Sequence, residues 1–436
     1  MPNIAVVVLD TLRYDRFDES FPWLDGTRFT NAYSTSHWTV PAHASLFTGY
    51  YPSEVGTTVK ARKLSWEGEV LPEALGRNGY TTRNFTTNLQ TYIWDGWERG
   101  FDERVRGRSN ADVDTDPDGV FEWREFVNEV ETADMKTYAR GLWQCLRSEH
   151  PLIRSLRHGY RLKTTQLTSV RAMLSRVRNT AFGDQEFLLI NLMDTHKPYY
   201  PPKAYRPTDR PVKPTLYDAI TDDVDDPGLV RRTYDGCARH LSDEYRKLFA
   251  ELREDFEYVV TLADHGEHLG EDGLWVHTYG LRPELTHVPL VVSGEGIPSQ
   301  TIDDAVSVVD VHQTIADLAG IDVPSRGEHL LNETSGSDRL VEYHGLAAKR
   351  REEFEELGIE EKFEPMDRPL DAIVSADGYA HETHDKGLVV SGSWSREEAR
   401  RRLDELVANI DRTEVTPEEA HVSDTIQERL EALGYA

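Results

Sequence analysis

Apolar residues in this chain fall into short runs, each closed by a polar or ionisable cluster. Asn3–Leu9 is continuously apolar through Val6, Val7 and Val8 and ends in Asp10-Thr11. Glu186–Met193 reads E-F-L-L-I-N-L-M and ends in Asp194-Thr195-His196-Lys197-Pro198. Phe256–Leu262 runs into Ala263-Asp264-His265-Gly266-Glu267-His268. Runs of this kind predict strands buried on both faces, as in a parallel sheet. Residues 71–86 predict a short helix, a Gly stop and a strand, and more strands are expected at Val288–Val292 and Ala305–Val309. Leu229–Asp255 has the period of a long amphipathic helix. The alternation predicts an α/β fold.

Residues 34–49, S-T-S-H-W-T-V-P-A-H-A-S-L-F-T-G, predict a short helix over Ala42–Thr48, with Pro41 in its first turn and Gly49 as its stop. Thr39 then sits just before a helix N-terminus, where free N–H groups and the macrodipole favour an anion or alkoxide. A capped surface helix is the plain alternative.

From about 100 to 180 the pattern becomes that of a helical insertion. It opens on the acidic Asp112–Gly119 loop and is locally basic at Arg147, Arg154, Arg157, Arg161, Lys163, Arg171, Arg176 and Arg178. Either these charges balance acidic neighbours, or they form a cap that draws in an anionic substrate or lipid headgroup. A smaller α+β subdomain is expected over 336–436, after a main domain at 1–335. Asp371–Ala376 and Gly387–Val390 suggest an antiparallel hairpin or small sheet, and Ser395–Ile410 a helix with Ser395 and Glu398 in capping-box spacing.

Asp and Glu total 77 against 49 Lys and Arg, a net charge of −28, and only 11 of the basic residues are Lys. A surface this acidic and Lys-poor points to halophilic adaptation and a haloarchaeal source, since salt screens the self-repulsion. It argues against nucleic acid as a partner. Cys145 and Cys237 lie far apart in no metal or redox spacing, and no twenty-residue apolar span occurs. A cytoplasmic protein with no membrane span is expected, its oligomeric state open.

In an open α/β sheet the carboxyl ends of parallel strands share one edge, where ligands bind. Asp10, His196, Asp264 and His265 would meet there beside Thr39, a set that suits a metal site. Singly, each has a plainer reading as a cap or a core histidine.

The blocks V-V-V-L-D-T-L-R (6–13), T-V-P-A-H-A-S-L-F-T-G (39–49), M-D-T-H-K-P-Y-Y-P-P (193–202), A-D-H-G-E-H-L-G (263–270) and V-S-V-V-D-V-H-Q-T-I-A-D-L-A-G (306–320), with R-L-E-A-L-G-Y (429–435), occur in the order of the sulfatase family. The chain thus resembles sulfatases of the alkaline phosphatase superfamily. The resemblance implies a mixed, mostly parallel sheet between helices, with one divalent metal at its carboxyl edge. Asp10, Asp264 and His265 would hold the metal, Thr39 would be nucleophile and further ligand, and His196 and His277 would contact the ester oxygens or leaving group. Arg13, His43 and Lys60 are candidates for touching the substrate anion, and His268 is a weaker one.

Family members of the formylglycine type carry Cys at the first position of C-x-P-x-R, where this chain has Thr39 and His43. Thr11 replaces a second Asp, and Thr86-Thr87-Asn88 stands where a Lys/His pair is expected. A Thr-nucleophile variant follows, acting on a small sulfate or phosphate ester, with a sugar or lipid as alternatives for the alcohol. His265 in place of an amide favours Mn²⁺ or Zn²⁺, with Ca²⁺ or Mg²⁺ as alternatives. Asp194 and His196 are alternatives as ligands of a second metal. The rival functions are a phosphoglycerol-type transferase or phosphodiesterase, and a non-catalytic binding protein.

Overall fold

The computed structural model describes residues 1–107, 121, 135–148, 150–156, 168–332 and 335–413. The Asp112–Gly119 loop, Arg157, Arg161, Lys163 and the 429–435 block lie outside the described residues.

The strands, in chain order, are β1 (Ile4–Leu9), β2 (Thr27–Tyr33), β3 (Thr81–Thr86), β4 (Glu103–Arg106), β5 (Glu186–Leu192), β6 (Tyr258–Leu262), β7 (His268–Glu271), β8 (Leu274–Val276), β9 (Leu290–Gly294), β10 (Gln300–Ser307), β11 (Arg339–Tyr343), β12 (Leu370–Ser375), β13 (Gly378–Thr383) and β14 (Gly387–Gly392). The helices used below are α1 (Thr39–Thr48), α2 (Ser169–Arg178), α3 (Pro227–Asp255), α4 (Val308–Leu318), α5 (Ala348–Glu356) and α6 (Arg396–Ala408).

Eight strands form the main sheet in the order β10-β2-β9-β6-β1-β5-β3-β4. β1 pairs in parallel with both β5 and β6, Ile4 lying opposite Phe187 and Tyr258. Only β9 runs against its neighbours. Successive β1 side chains point to opposite faces. Ile4, Val6 and Val8 pack into one core layer with Val40, Val311 and Ile315. Ala5, Val7 and Leu9 pack into the other with Leu241, Tyr245 and Met173. A strand with two buried faces needs apolar residues at both periods, hence the unbroken run in the sequence. β2 (T-R-F-T-N-A-Y) lacks such a run and escaped the periodicity reading.

α1 begins at Thr39, one turn earlier than expected, with Trp38 as its extended N-cap. Thr39 therefore lies in the first turn rather than before it. All ten α1 residues are buried, which excludes a capped surface helix. Gly49 closes α1 with φ 75° and donates its N–H to the Ser45 carbonyl at 2.8 Å. A Cβ there would lie 2.7 Å from both His312 and Ser325, so glycine is required by conformation and by space.

The second sheet has the order β11-β12-β13-β14, entirely antiparallel. The segments expected to form a hairpin or small sheet fall on β12 and β14 of this sheet, with β13 between them rather than paired directly. β11 braces the approach to α1: Glu342 N–H donates to the Thr35 carbonyl at 2.9 Å and Ser36 Oγ donates to the Glu342 carbonyl at 2.8 Å. A buried bidentate pair, Arg339 with Asp310 at 2.9 and 3.0 Å, ties β11 to α4. At α6, Ser395 Oγ accepts the Glu398 N–H at 3.1 Å.

Three charges of the basic insertion are spent on acidic neighbours. Arg171 pairs with Glu244, Arg176 with Glu103 and Arg178 with Glu251. No helix among the described residues is long and apolar enough to cross a membrane.

Candidate active site

The parallel strands deliver their carboxyl ends to one edge, and the expected residues converge there. Asp10 follows β1, Asp264 and His265 follow β6, and Thr39 opens the helix after β2. One ligand atom from each of Asp10, Asp264 and His265 lies within 4.8 Å of the others. Thr39 Oγ1 is 3.4 Å from Asp10 Oδ2 and 3.3 Å from His265 Nε2. All four side chains are buried.

His265 donates Nδ1–H to the Gly266 carbonyl at 2.9 Å, which leaves the lone pair on Nε2, toward Thr39. Burial, then the Asp264 charge, raises the Asp10 carboxyl well above the ordinary range. Burial also pushes Asp264 up, but His265, His43 and Thr39 outweigh it and hold that carboxyl below its usual value. Asp10 Oδ1 and Asp264 Oδ2 have no hydrogen-bond donor among the described residues. Two buried carboxylates with orphaned oxygens and an imidazole lone pair fit a divalent cation, which would offset the repulsion between them.

Asn88 Nδ2 donates to Asp10 Oδ2 at 2.7 Å and lies 3.5 Å from Thr39 Oγ1, in the place where a cationic pair was expected. Thr11 has φ 59°, unusual for a β-branched residue, and its Oγ1 donates back to the Asp10 carbonyl at 2.7 Å. It thus turns away from the cluster. Tyr234 steadies that turn, donating to the Thr11 carbonyl at 2.6 Å.

His277 lies near the cluster, its ring tilted against those of His265 and His196 at 4.7 and 5.1 Å. Glu267, fully buried, accepts His277 Nδ1–H at 2.8 Å and the Tyr199 hydroxyl at 2.8 Å. His196 donates Nδ1–H to the Lys197 carbonyl at 2.6 Å. Burial holds both His196 and His277 well below the ordinary imidazole value.

The remaining candidates lie as follows. His43, one turn along α1 from Thr39, places Nε2 3.6 Å from Asp264 Oδ2 and 3.4 Å from Asn191 Nδ2. Arg13 is paired with Asp15 and Glu271 at 2.8 and 2.7 Å, and Lys60 with Asp367 at 2.8 Å, so both charges are taken by carboxylates. Asp194 Oδ2 accepts the Val170 N–H at the start of α2, 2.8 Å away, and Asp194 is not among the clustered ligands. His268 is buried in the β7–β8 ribbon.

Sequence reasoning passed over Glu267, Asn191, Arg62, Lys197 and Arg350. Glu267 and Lys197 stand inside quoted blocks. Arg62 and Arg350 are brought to the site only by the fold.

The sequence pattern of the Sulfatase family matches residues 2–321. An uncharacterized sulfatase, YidJ, of Escherichia coli is 24% identical over 352 residues, 73% of this chain and 66% of that protein. The low-salt glycan biosynthesis sulfotransferase Agl7 of Haloferax volcanii is 34% identical over 130 residues, 27% of this chain and 32% of that one. The chain thus spans about two thirds and about one third of these two relatives. The solved phosphonate monoester hydrolase of Silicibacter pomeroyi superposes with a TM-score of 0.62 at 16% identity, over 98% of both chains, a likeness of fold.

Proposed function

The chain belongs to the sulfatase family, and on that premise we propose that it is a metal-dependent hydrolase that cleaves a sulfate or phosphate ester through Thr39. The observation that carries this reading is the position of Thr39 Oγ1, buried in the first turn of α1 and within 3.4 Å of both Asp10 and His265.

Asp10, Asp264 and His265 would hold the metal. When bound, a divalent ion supplies positive charge that favours an ionised hydroxyl and offsets charge building on the ester oxygens. Thr39 gives up its proton, which Nε2 of His277 or His196 would take, and its Oγ1 attacks sulfur or phosphorus in line, while the bond to the leaving alcohol breaks. His277, with Nδ1 fixed by Glu267, and His196 are placed to stabilise the oxygens and return a proton to the alcohol. Water then cleaves the threonine ester and regenerates the hydroxyl.

The sulfotransferase named among the relatives supports a second reading, in which an acceptor hydroxyl replaces water in the last step. The acid excess supports a high-salt setting, and the two buried free cysteines a reducing compartment. A screen of sulfate monoesters, phosphate monoesters and phosphodiesters with Mn²⁺ or Zn²⁺ supplied tests the reading. Turnover of one class supports it, and none of any class contradicts it.

A further inference from the structure

His277 also lines a second space, a cavity walled in addition by Trp38, Arg62, Lys197, Thr278 and Arg350. No acidic residue lines it among the described residues, in a chain whose net charge is −28. The nearby carboxylates, Glu267 beside Lys197 among them, lie outside its wall. Asp367 is shared by Lys60 and Arg351 at 2.8 and 3.1 Å, and Glu353 pairs with Arg350 at 2.9 Å. Arg62 and Lys197 make no salt bridge among the described residues. The Arg62 guanidinium instead sits 5.3 Å from the ring centres of both Trp38 and Trp94. Burial, with Arg350 adding to it, pushes Lys197 down to about 7 and Arg62 to about 10.

Two guanidiniums and an ammonium that is about half protonated near pH 7 gather around one concave space, with Glu353 paired to Arg350. Their mutual repulsion and lost hydration are costs that a bound anion offsets. The reacting group already has its place, at Thr39 and the carboxylate cluster, none of whose residues lines this cavity. What reaches the cavity is therefore the part of the substrate beyond the scissile bond. We propose that Arg62, Lys197 and Arg350 bind a second anionic group, a carboxylate, sulfate or phosphate, on the organic part of the ester. The preferred substrate is thus at least doubly anionic. This rests on the reading of Thr39 as the point of ester cleavage.

The test uses three phenyl sulfates and the matching phenyl phosphates, carrying a carboxylate, a sulfonate or a neutral amide on the ring. Their binding to full-length Thr39→Ala, with Mn²⁺ supplied, is measured by calorimetry. The members with a second charge should bind about tenfold tighter than the amide, and the gap should narrow as salt rises. The gap should collapse when Arg62→Gln and Arg350→Gln are added and persist in Arg350→Lys, with circular dichroism verifying the fold of each. Should the double change fail to fold, the single variants Arg350→Gln and Arg350→Lys carry the same comparison. Comparing carboxylate with sulfonate identifies the second anion. Equal affinity for charged and neutral members, or a gap indifferent to the arginines, overturns the proposal. Selective binding by a wild-type chain that turns over no ester would keep the proposal and overturn the cleavage reading instead.

Discussion

Glu267 and His277 form a buried pair, with a carboxylate oxygen 2.8 Å from the imidazole Nδ1 and the other oxygen held by the Tyr199 hydroxyl. The carboxylate fixes the histidine tautomer and leaves Nε2 as the atom that can exchange a proton with the ester. Glu267→Gln preserves shape but offers a weaker, neutral acceptor. It should lower kcat about 10- to 100-fold with little change in KM, and alter the pH–rate profile. An unchanged kcat would remove Glu267 from the positioning of His277.

The orphaned oxygens of Asp10 and Asp264 predict that purified protein holds about one divalent ion per chain. Asp264→Ala should lose it, and a chelator should lower the Tm of the wild type but not of that variant. Metal-free protein with an unchanged Tm in both would contradict the site.

Asp194 predicts a pH effect on stability. Burial pushes its carboxyl up to about 7 from an ordinary 3.8. The folded state therefore binds more protons than the unfolded state between these values. The stabilisation is complete below the unfolded value and is lost as pH rises through about 7. Asp194→Asn removes this dependence, so between pH 5 and 8 the wild type should lose about 1–3 kcal/mol more than the variant. Parallel losses would show that Asp194 titrates normally.

The excess of 77 acidic over 49 basic residues predicts a Tm that climbs from low salt to molar KCl, because screening relieves carboxylate repulsion. A flat Tm would sink the high-salt reading.

Much of the candidate site's layout was legible because its residues close apolar strand runs. Once β1, β5 and β6 are parallel, Asp10, His196 and the Asp264-His265 pair must share one edge. Thr39 was legible from Pro41 and Gly49, although α1 starts at Thr39 itself. β2, a strand of mixed polarity, carried no such signal, nor did the reversal of β9. Arg62 and Arg350 were invisible for a different reason: an arginine reads as solvated until the fold brings it to a cavity. Asn88 was visible only as the absence of an expected pair, and the structure shows it donating to Asp10.

The central claim is that Thr39 Oγ1 is the nucleophile, and peptide mapping by mass spectrometry of protein quenched during turnover tests it most directly. The account predicts a sulfo or phospho group on Thr39 in the wild type, and a folded Thr39→Ala variant that has neither the modification nor activity above background. A Thr39→Ala enzyme that still turns over the ester, or a label on another residue, would contradict it.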